Sequence, residues 1–356
     1  MQISETGSLS TITDSSAAHK QTETGIAEKA ADEYIAGIFS KPQIYNSSGT
    51  FGPDITSSLI SNDNALNNFK EIFGTGEDAR TEENADPAAE MIEKILNASA
   101  GTDNSFMASD RGDSMLVEEV SGVTINAKDG DDKVYLEDAD GVALNMGDGD
   151  DQVSMKDSVK NAAANMGDGD DTVNVYGAKG VVVSGDSGDD SVNVESGEDV
   201  YISGGSGNDT INITQAVNLT IDGGDGDDQI ILKEGQFGDI SGGSGSDVIN
   251  GAGNIAGGTG NDFISLHRAY SSETYSVVQT KLTYNIGDGH DVVSGADGNT
   301  TIELNGISSK DVEIKEEVGK SGKREKVISM KDGSGSIRLQ GGSGAKLAFS
   351  DGVAVL

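Results

Sequence analysis

The sequence of 356 residues has no cysteine and no tryptophan, only three prolines, and aromatic side chains at 4% of positions. Without cysteine there is neither a disulfide framework nor a thiolate zinc or iron–sulfur site, a composition that fits an intracellular chain and a bacterial secreted one equally. With apolar residues at 34% and aromatics so scarce, a wide globular core is excluded and a thin, repetitive one is expected. Basic residues are also few: 24 Lys and Arg stand against 61 Asp and Glu, a formal charge of -37. Phosphate backbones and anionic headgroups are bound through Lys and Arg, so nucleic acid is excluded as a partner and an anionic membrane surface disfavoured. No stretch approaches the roughly 18 apolar residues of a membrane span, so no transmembrane segment is expected. Residues 1–20 lack the apolar core of a Sec signal peptide, which makes export by that route unlikely on sequence grounds.

Catalytic constellations are missing as well. The three histidines, His19, His267 and His290, belong to no HExxH pattern, and there is no GxSxG and no cysteine nucleophile. No catalytic residue is assigned, and the chain is expected not to be an enzyme. Parallel β-helices do host polysaccharide lyases and epimerases, which keeps a polysaccharide-modifying enzyme as an alternative.

What the sequence has in quantity is glycine, 50 residues of it, and it is unevenly spread. Residues 1–116 show no recurring glycine motif. Helical periodicity places Ile26, Ala30, Tyr34 and Ile38 on one face of residues 26–39. It also predicts a helix over residues 86–98, with Asp86 as cap, Pro87 in the first turn, and Met91, Ile92, Ile95 and Leu96 on one face. This region is expected to be a small helical or partly disordered arm.

From residue 117 the sequence repeats itself. Glycine-rich strings end on Asp132, Asp151, Asp171, Asp190, Asp209, Asp228, Asp247, Asp262 and Asp291, at intervals of 19, 20, 19, 19, 19, 19, 15 and 29. Two positions after each aspartate stand Val134, Val153, Val173, Val192, Ile211, Ile230, Ile249, Ile264 and Val293, all β-branched. Nine and seven positions before it come pairs such as Val123/Ile125, Val200/Ile202 and Leu219/Ile221, the period-two alternation of a second strand. One such unit cannot bury its own apolar row, whereas stacked units can. The predicted fold is mainly β: a right-handed parallel β-roll or β-helix of about 19-residue coils. The expected organisation is an N-terminal region over residues 1–116, repeats over residues 117–294, and a β-rich cap over residues 295–356. The interval of 15 predicts a shortened coil near residues 251–258, and that of 29 an insertion around residues 267–281.

The consensus G-G-x-G-x-D with an apolar residue two places on resembles the nonapeptide of the haemolysin-type calcium-binding (RTX) repeat family, a calcium-binding β-roll. The chemistry has its own rationale. Glycines turn the backbone with positive φ and bring carbonyl oxygens together, and the aspartate adds a hard anionic oxygen. Oxygen-only ligation suits Ca²⁺, which takes 6 to 8 oxygens, more than one turn supplies but within reach of two stacked turns. The predicted metal ligands are Asp132; Gly149 and Asp151; Gly169 and Asp171; Gly188 and Asp190; Gly205, Gly207 and Asp209; Gly224, Gly226 and Asp228; Gly243, Gly245 and Asp247; Gly258, Gly260 and Asp262; and Gly289 and Asp291. An EF-hand is excluded, because the strings opening at Asp129, Asp148 and Asp168 lack glycine at loop position six and glutamate at twelve. Family repeats run every nine residues, giving two glycine turns per coil; here there is one, so ions are expected along one edge only. Between Val120 and Ser265 there are 28 acidic and 6 basic residues, a stack that repels itself without counter-ions.

The closing segments at residues 286–295, 304–314, 331–339 and 349–352 resemble the region that follows such repeats, where they would cover the last coil's edge. The resemblance also implies an uncleaved C-terminal signal for a type I export channel, with residues 351–356 as part of it. The expectation is thus a calcium-binding protein secreted from a bacterium by a non-Sec route, with an extracellular or host partner whose identity is unknown. The alternative is an effector of a contact-dependent secretion machine, with the Ser/Thr-rich residues 1–21 as its signal.

Overall fold

The computed structural model describes residues 91–93 and 105–356, apart from 157, 234–236, 271–275 and 343. The helix expected over residues 26–39 and the Ser/Thr-rich residues 1–21 lie outside the described residues. Among those described, the single helical element is a 3₁₀ turn, Ser309–Asp311. They fall into two compact units that divide between Val183 and Ser184.

Each unit is a parallel β-solenoid. In the first, Ser105–Met107, Thr124–Asp129, Ala143–Asp148 and Lys160–Asp168 pair in sequence as one parallel sheet, and Asp113–Ser121, Lys133–Asp140, Gln152–Met155 and Thr172–Tyr176 as another. In the second, Glu198–Ser206, Val217–Asp225, Gly238–Ser244 and Gly253–Thr259 form one row, and Ser191–Glu195, Thr210–Thr214, Gln229–Leu232, Val248–Gly251 and Phe263–Leu266 the other. Register follows the repeat: Val134 faces Val153, which faces Val173, and Ile211 faces Ile230, which faces Ile249 and then Ile264. A slip of one residue would turn each of these rows out to solvent, so the alternation itself fixes the register.

The core is the two inward columns. All nine β-branched residues after the aspartates are buried, as are the pairs nine and seven positions before them. The strand after each turn also buries its fourth position, through Leu136, Met155, Val175, Val194, Ile213 and Leu232. Each such side chain contributes about 1.5–3 kcal/mol on burial, set against backbone ordering of about 1–2 kcal/mol per residue, so a coil gains its margin only by sharing rows with its neighbours.

The two irregularities lie where their intervals place them. At the short coil Gly238 pairs with Gly253 and Val248 with Phe263, and Ala252 alone separates the two strands. Beyond Leu266 the insertion is tied down by Arg268, whose guanidinium meets Asp297 at 2.8 Å. After Thr300–Leu304 the pattern becomes partly antiparallel. Val312–Val318, Arg324–Met330 and Gly335–Gln340 form a meander whose last strand still runs parallel to Gly289–Ser294. Lys346–Phe349 turns back as Gly352–Val355, and Asp351 in that turn accepts hydrogen bonds from Ser308 Oγ at 2.6 Å and the Ser309 N–H at 2.9 Å.

One expectation is overturned. Within residues 86–98, predicted as a helix, Met91–Glu93 is a strand paired parallel with Asp113, Ser114 and Met115. Helical periodicity over so short a run is a weak preference, and the strand Asp113–Ser121 offers backbone groups that an extended neighbour satisfies.

Candidate functional site: the aspartate ladder

The glycine turns line one edge of each unit. Every glycine predicted as a ligand has positive φ, from 102° at Gly289 to 148° at Gly169. Gly224 shows why no other residue fits: at φ +112° its missing Cβ would lie 2.0 Å from the Gly205 carbonyl oxygen of the preceding coil.

The predicted aspartates form a buried ladder. In six pairs within the units, Oδ1 of the later aspartate accepts a hydrogen bond from the backbone N–H of the one a coil earlier: Asp132 to Asp151 at 2.7 Å, Asp151 to Asp171 at 2.7 Å, Asp190 to Asp209 at 2.8 Å, Asp209 to Asp228 at 2.8 Å, Asp228 to Asp247 at 2.9 Å, and Asp247 to Asp262 at 3.0 Å. The last rung is Asp262 to Asp291 at 3.1 Å, and the strand beyond places Ile337 opposite Asp291, which ends the series. The ladder also starts earlier than predicted. Asp113 is 1% exposed and donates its N–H to Asp132 at 2.6 Å. Its string, Ala108 to Asp113, carries one glycine in a displaced position, but the 19-residue spacing to Asp132 was the signal that could have found it.

The second carboxylate oxygen is the unusual atom. Oδ2 of Asp151, Asp209, Asp228, Asp247 and Asp262 is buried and has no hydrogen-bond partner. In the second unit its surroundings are defined by the first glycine of each turn. The point where a Cβ of Gly204 would sit is 2.0 Å from Asp209 Oδ2 and 2.4 Å from the Gly223 carbonyl oxygen. For Gly223 the same distances are 2.3 Å to Asp228 Oδ2 and 2.4 Å to the Gly242 oxygen, and for Gly242 they are 2.3 Å to Asp247 Oδ2 and 2.3 Å to the Gly257 oxygen. Two acceptors thus approach one place with no donor between them, an arrangement that calls for a cation or a proton.

Electrostatics agree. Burial, opposed by the ladder hydrogen bond and reinforced by neighbouring carboxylates, pushes Asp151 and Asp228 up to about 8 and Asp247 and Asp291 up to about 7. Asp209 and Asp262 rise to about 6, again chiefly through burial.

A second ladder, absent from the predicted ligand set, runs along the exposed rim. Asp131 Oδ1 accepts from the Asp150 N–H at 3.1 Å, Asp150 from Asp170 at 3.0 Å, Asp189 from Asn208 at 2.7 Å, Asn208 from Asp227 at 2.9 Å and Asp227 from Ser246 at 2.7 Å. Its signal in the sequence is the short polar residue before every aligned aspartate but the last, where His290 stands. His290 is a further rung of the rim ladder, donating its N–H to Asn261 Oδ1 at 3.1 Å while its Nδ1 lies 3.0 Å from Ser336 Oγ; His267 lies off both ladders, its Nδ1 at 3.1 Å from Asn250 Oδ1.

The donor set fits a hard cation in part. Carboxylate and carbonyl oxygens are the ligands calcium takes. Among the described residues no group of three acidic or histidine side chains converges, so an ion at this edge would draw most of its oxygens from backbone carbonyls. No helix among the described residues is long and apolar enough to cross a membrane. In comparison with known proteins, the chain matches no family model and shows no significant similarity to a curated protein.

Proposed function

We propose that this chain is an RTX-like calcium-responsive β-roll protein, whose repeats fold as Ca²⁺ binds between stacked glycine–aspartate turns and whose role outside the cell is one of structure or interaction rather than catalysis. The observation that carries the reading is the set of buried, unpartnered Oδ2 atoms, those of Asp209, Asp228 and Asp247 each beside a glycine carbonyl of the next coil. A bound divalent ion would supply the positive charge that these oxygens lack. Asp209, Asp228, Asp247 and Asp262 would hold it in the second unit, and Asp132, Asp151 and Asp171 in the first, with turn carbonyls completing the oxygen shell.

Folding and binding then form one equilibrium. Metal that binds only the folded coils adds its binding free energy to their stability. At the low free calcium of a bacterial cytoplasm the repeats stay unfolded and can pass an export channel of the type I kind; at extracellular calcium they fold. The terminal strand Gly352–Val355 is paired in the folded chain, so a C-terminal export signal would be read before folding.

The test is a calcium titration of the metal-stripped full chain, followed by circular dichroism, with calorimetry for stoichiometry and magnesium as control. From the number of glycine–aspartate turns in the sequence, roughly five to eight ions per chain are expected, with the β signal rising alongside. Mg²⁺, which demands tight octahedral sites, should substitute poorly. Absence of calcium binding at millimolar concentration would end the proposal.

A further inference from the structure

The turns of the two units share the buried aspartate but differ at the rim. In the first unit both residues flanking the central glycine are carboxylates in three successive turns: Asp129 and Asp131, Asp148 and Asp150, Asp168 and Asp170. In the second unit the turn ending at Asp228 is of the same kind, with Asp225 and Asp227, whereas three others hold Ser206 and Asn208, Ser244 and Ser246, and Thr259 and Asn261. The backbone arrangement is shared. Asp131 and Asp150 accept the N–H of the next coil at 3.1 and 3.0 Å, and Asn208 does the same at 2.9 Å. Charge differs while geometry does not. Behind the acidic rim Asp151 is 2% exposed with its Oδ2 unpartnered, so a buried acceptor accompanies the surface cluster.

We propose that the chain carries two classes of calcium site, in which the carboxylate-rimmed turns, three in the first unit and the one ending at Asp228, fill first and the neutral-rimmed turns ending at Asp209, Asp247 and Asp262 fill at higher calcium. This rests on the calcium reading above. A carboxylate within a few ångströms of a divalent ion tightens it several-fold even at water-like dielectric, and ligand charge is a main means by which calcium sites are tuned. Two extra carboxylates per turn give a separation on the order of tenfold in Kd at moderate salt. The first unit would then be ordered at calcium levels where much of the second is not, so the chain would fold in two steps across a calcium gradient.

The experiment is calorimetric titration of the metal-stripped full chain with Ca²⁺ alone, with circular dichroism in parallel, and it uses two variants. Replacing Asp129, Asp131, Asp148, Asp150, Asp168 and Asp170 together by Asn keeps every Oδ1 acceptor, as Asn208 does naturally, and removes only charge. The wild type should bind in two phases about tenfold apart, and the sixfold variant should move most of the tight phase into the weak one, leaving the turn rimmed by Asp225 and Asp227. The reciprocal pair Ser206→Asp and Asn208→Asp should move ions from the weak phase to the tight one. A single class of sites in the wild type, or a tight phase undiminished by the sixfold substitution, overturns the inference and leaves the calcium reading standing. If the sixfold variant does not fold, the reciprocal variant decides, and an unchanged phase ratio there overturns the inference. No binding at all removes the calcium reading and this inference with it.

Discussion

Each coil reverses twice, and the two reversals solve the same problem with different chemistry. On the glycine edge φ lies between 102° and 148° at the predicted ligand glycines. On the opposite edge ordinary residues take the left-handed region: Ser196 at 62°, Asp199 at 56°, Gln215 at 55° and Asn218 at 55°. The second conformation costs an L-residue about 1–2 kcal/mol, less for Asn and Asp, and leaves space for a side chain. The first is closed to one at these glycines, because the Cβ would meet the neighbouring coil's carbonyl; where Lys128 and Asp186 take the place of a turn glycine, φ falls to 78° and 70°. The polar groups differ in the same way. The opposite edge pairs carboxylate with amide near solvent, as where Asn218 Nδ2 donates to Asp199 at 2.8 Å, whereas the glycine edge buries a carboxylate and leaves one oxygen unmatched. A solenoid needs only turns like those of the opposite edge to fold. A costlier turn repeated at every coil points to a role beyond chain reversal.

The largest effect that could break this contrast is steric. Gly224→Ala places a Cβ 2.0 Å from a backbone oxygen at a strained φ, and should destabilise the chain by about 3 kcal/mol or more. Gln215→Gly, which relaxes the left-handed residue of the opposite turn, should change stability by less than about 1 kcal/mol. Denaturant unfolding of both variants measures the difference; similar losses would show that the two turns are equivalent.

Next in size is the loss of a ladder rung. Asp228→Ala removes the acceptor of the buried Asp209 N–H, a loss of about 1–3 kcal/mol whether or not calcium is present. It should also remove a share of the calcium-dependent stability, which thermal melts in calcium and in chelator would separate.

Much of this was legible in the sequence. The interval of 19 and the β-branched residue after each aspartate gave the parallel coils, their register and their core, because burial on one face of a strand leaves a period-two trace. The shortened coil was equally visible as an interval of 15. Other features left no such trace. The ladder's hydrogen bonds run from the backbone of one coil to the side chain of the next, so they depend on stacking that no single repeat encodes. The rim residues vary among Asp, Asn and Ser because a short polar acceptor suffices there. Residues 91–93 were misread because Met91 and Ile92 satisfy a helical face as readily as a strand, and the pairing that decides lies with Asp113–Ser121.

The third effect is in pH. The ladder aspartates have folded-state values raised well above that of an unfolded aspartate, to about 8 at Asp228 and about 6 at Asp209, mainly by burial. For a carboxyl raised on folding, the stabilising contribution is complete below its unfolded value and is lost as pH rises through the folded one. The metal-stripped folded state should therefore gain stability as pH falls from about 8 towards 5. Calcium should reverse the trend, since it requires the ionised form and competes with the proton. Melting temperatures at four pH values, with and without calcium, test this; a metal-stripped chain that loses stability on acidification over that range would contradict the buried ladder.

The smallest expected effect is the most discriminating, because one substitution is made on both edges. Asp199→Asn retains a carbonyl to accept from Asn218, near solvent, and should alter stability by less than about 0.5 kcal/mol in calcium or in chelator alike. Asp228→Asn keeps the Oδ1 acceptor for Asp209 and can put an amide N–H where Oδ2 faces the Gly242 carbonyl, turning two opposed acceptors into a donor and an acceptor. In chelator it should therefore stabilise the fold modestly, by about 1 kcal/mol. In calcium it should do the reverse, because a neutral amide is a poorer ligand than a carboxylate. A change of sign with calcium at position 228, beside indifference at position 199, would place the cation on the glycine edge; the same sign in both conditions would make the ladder purely structural.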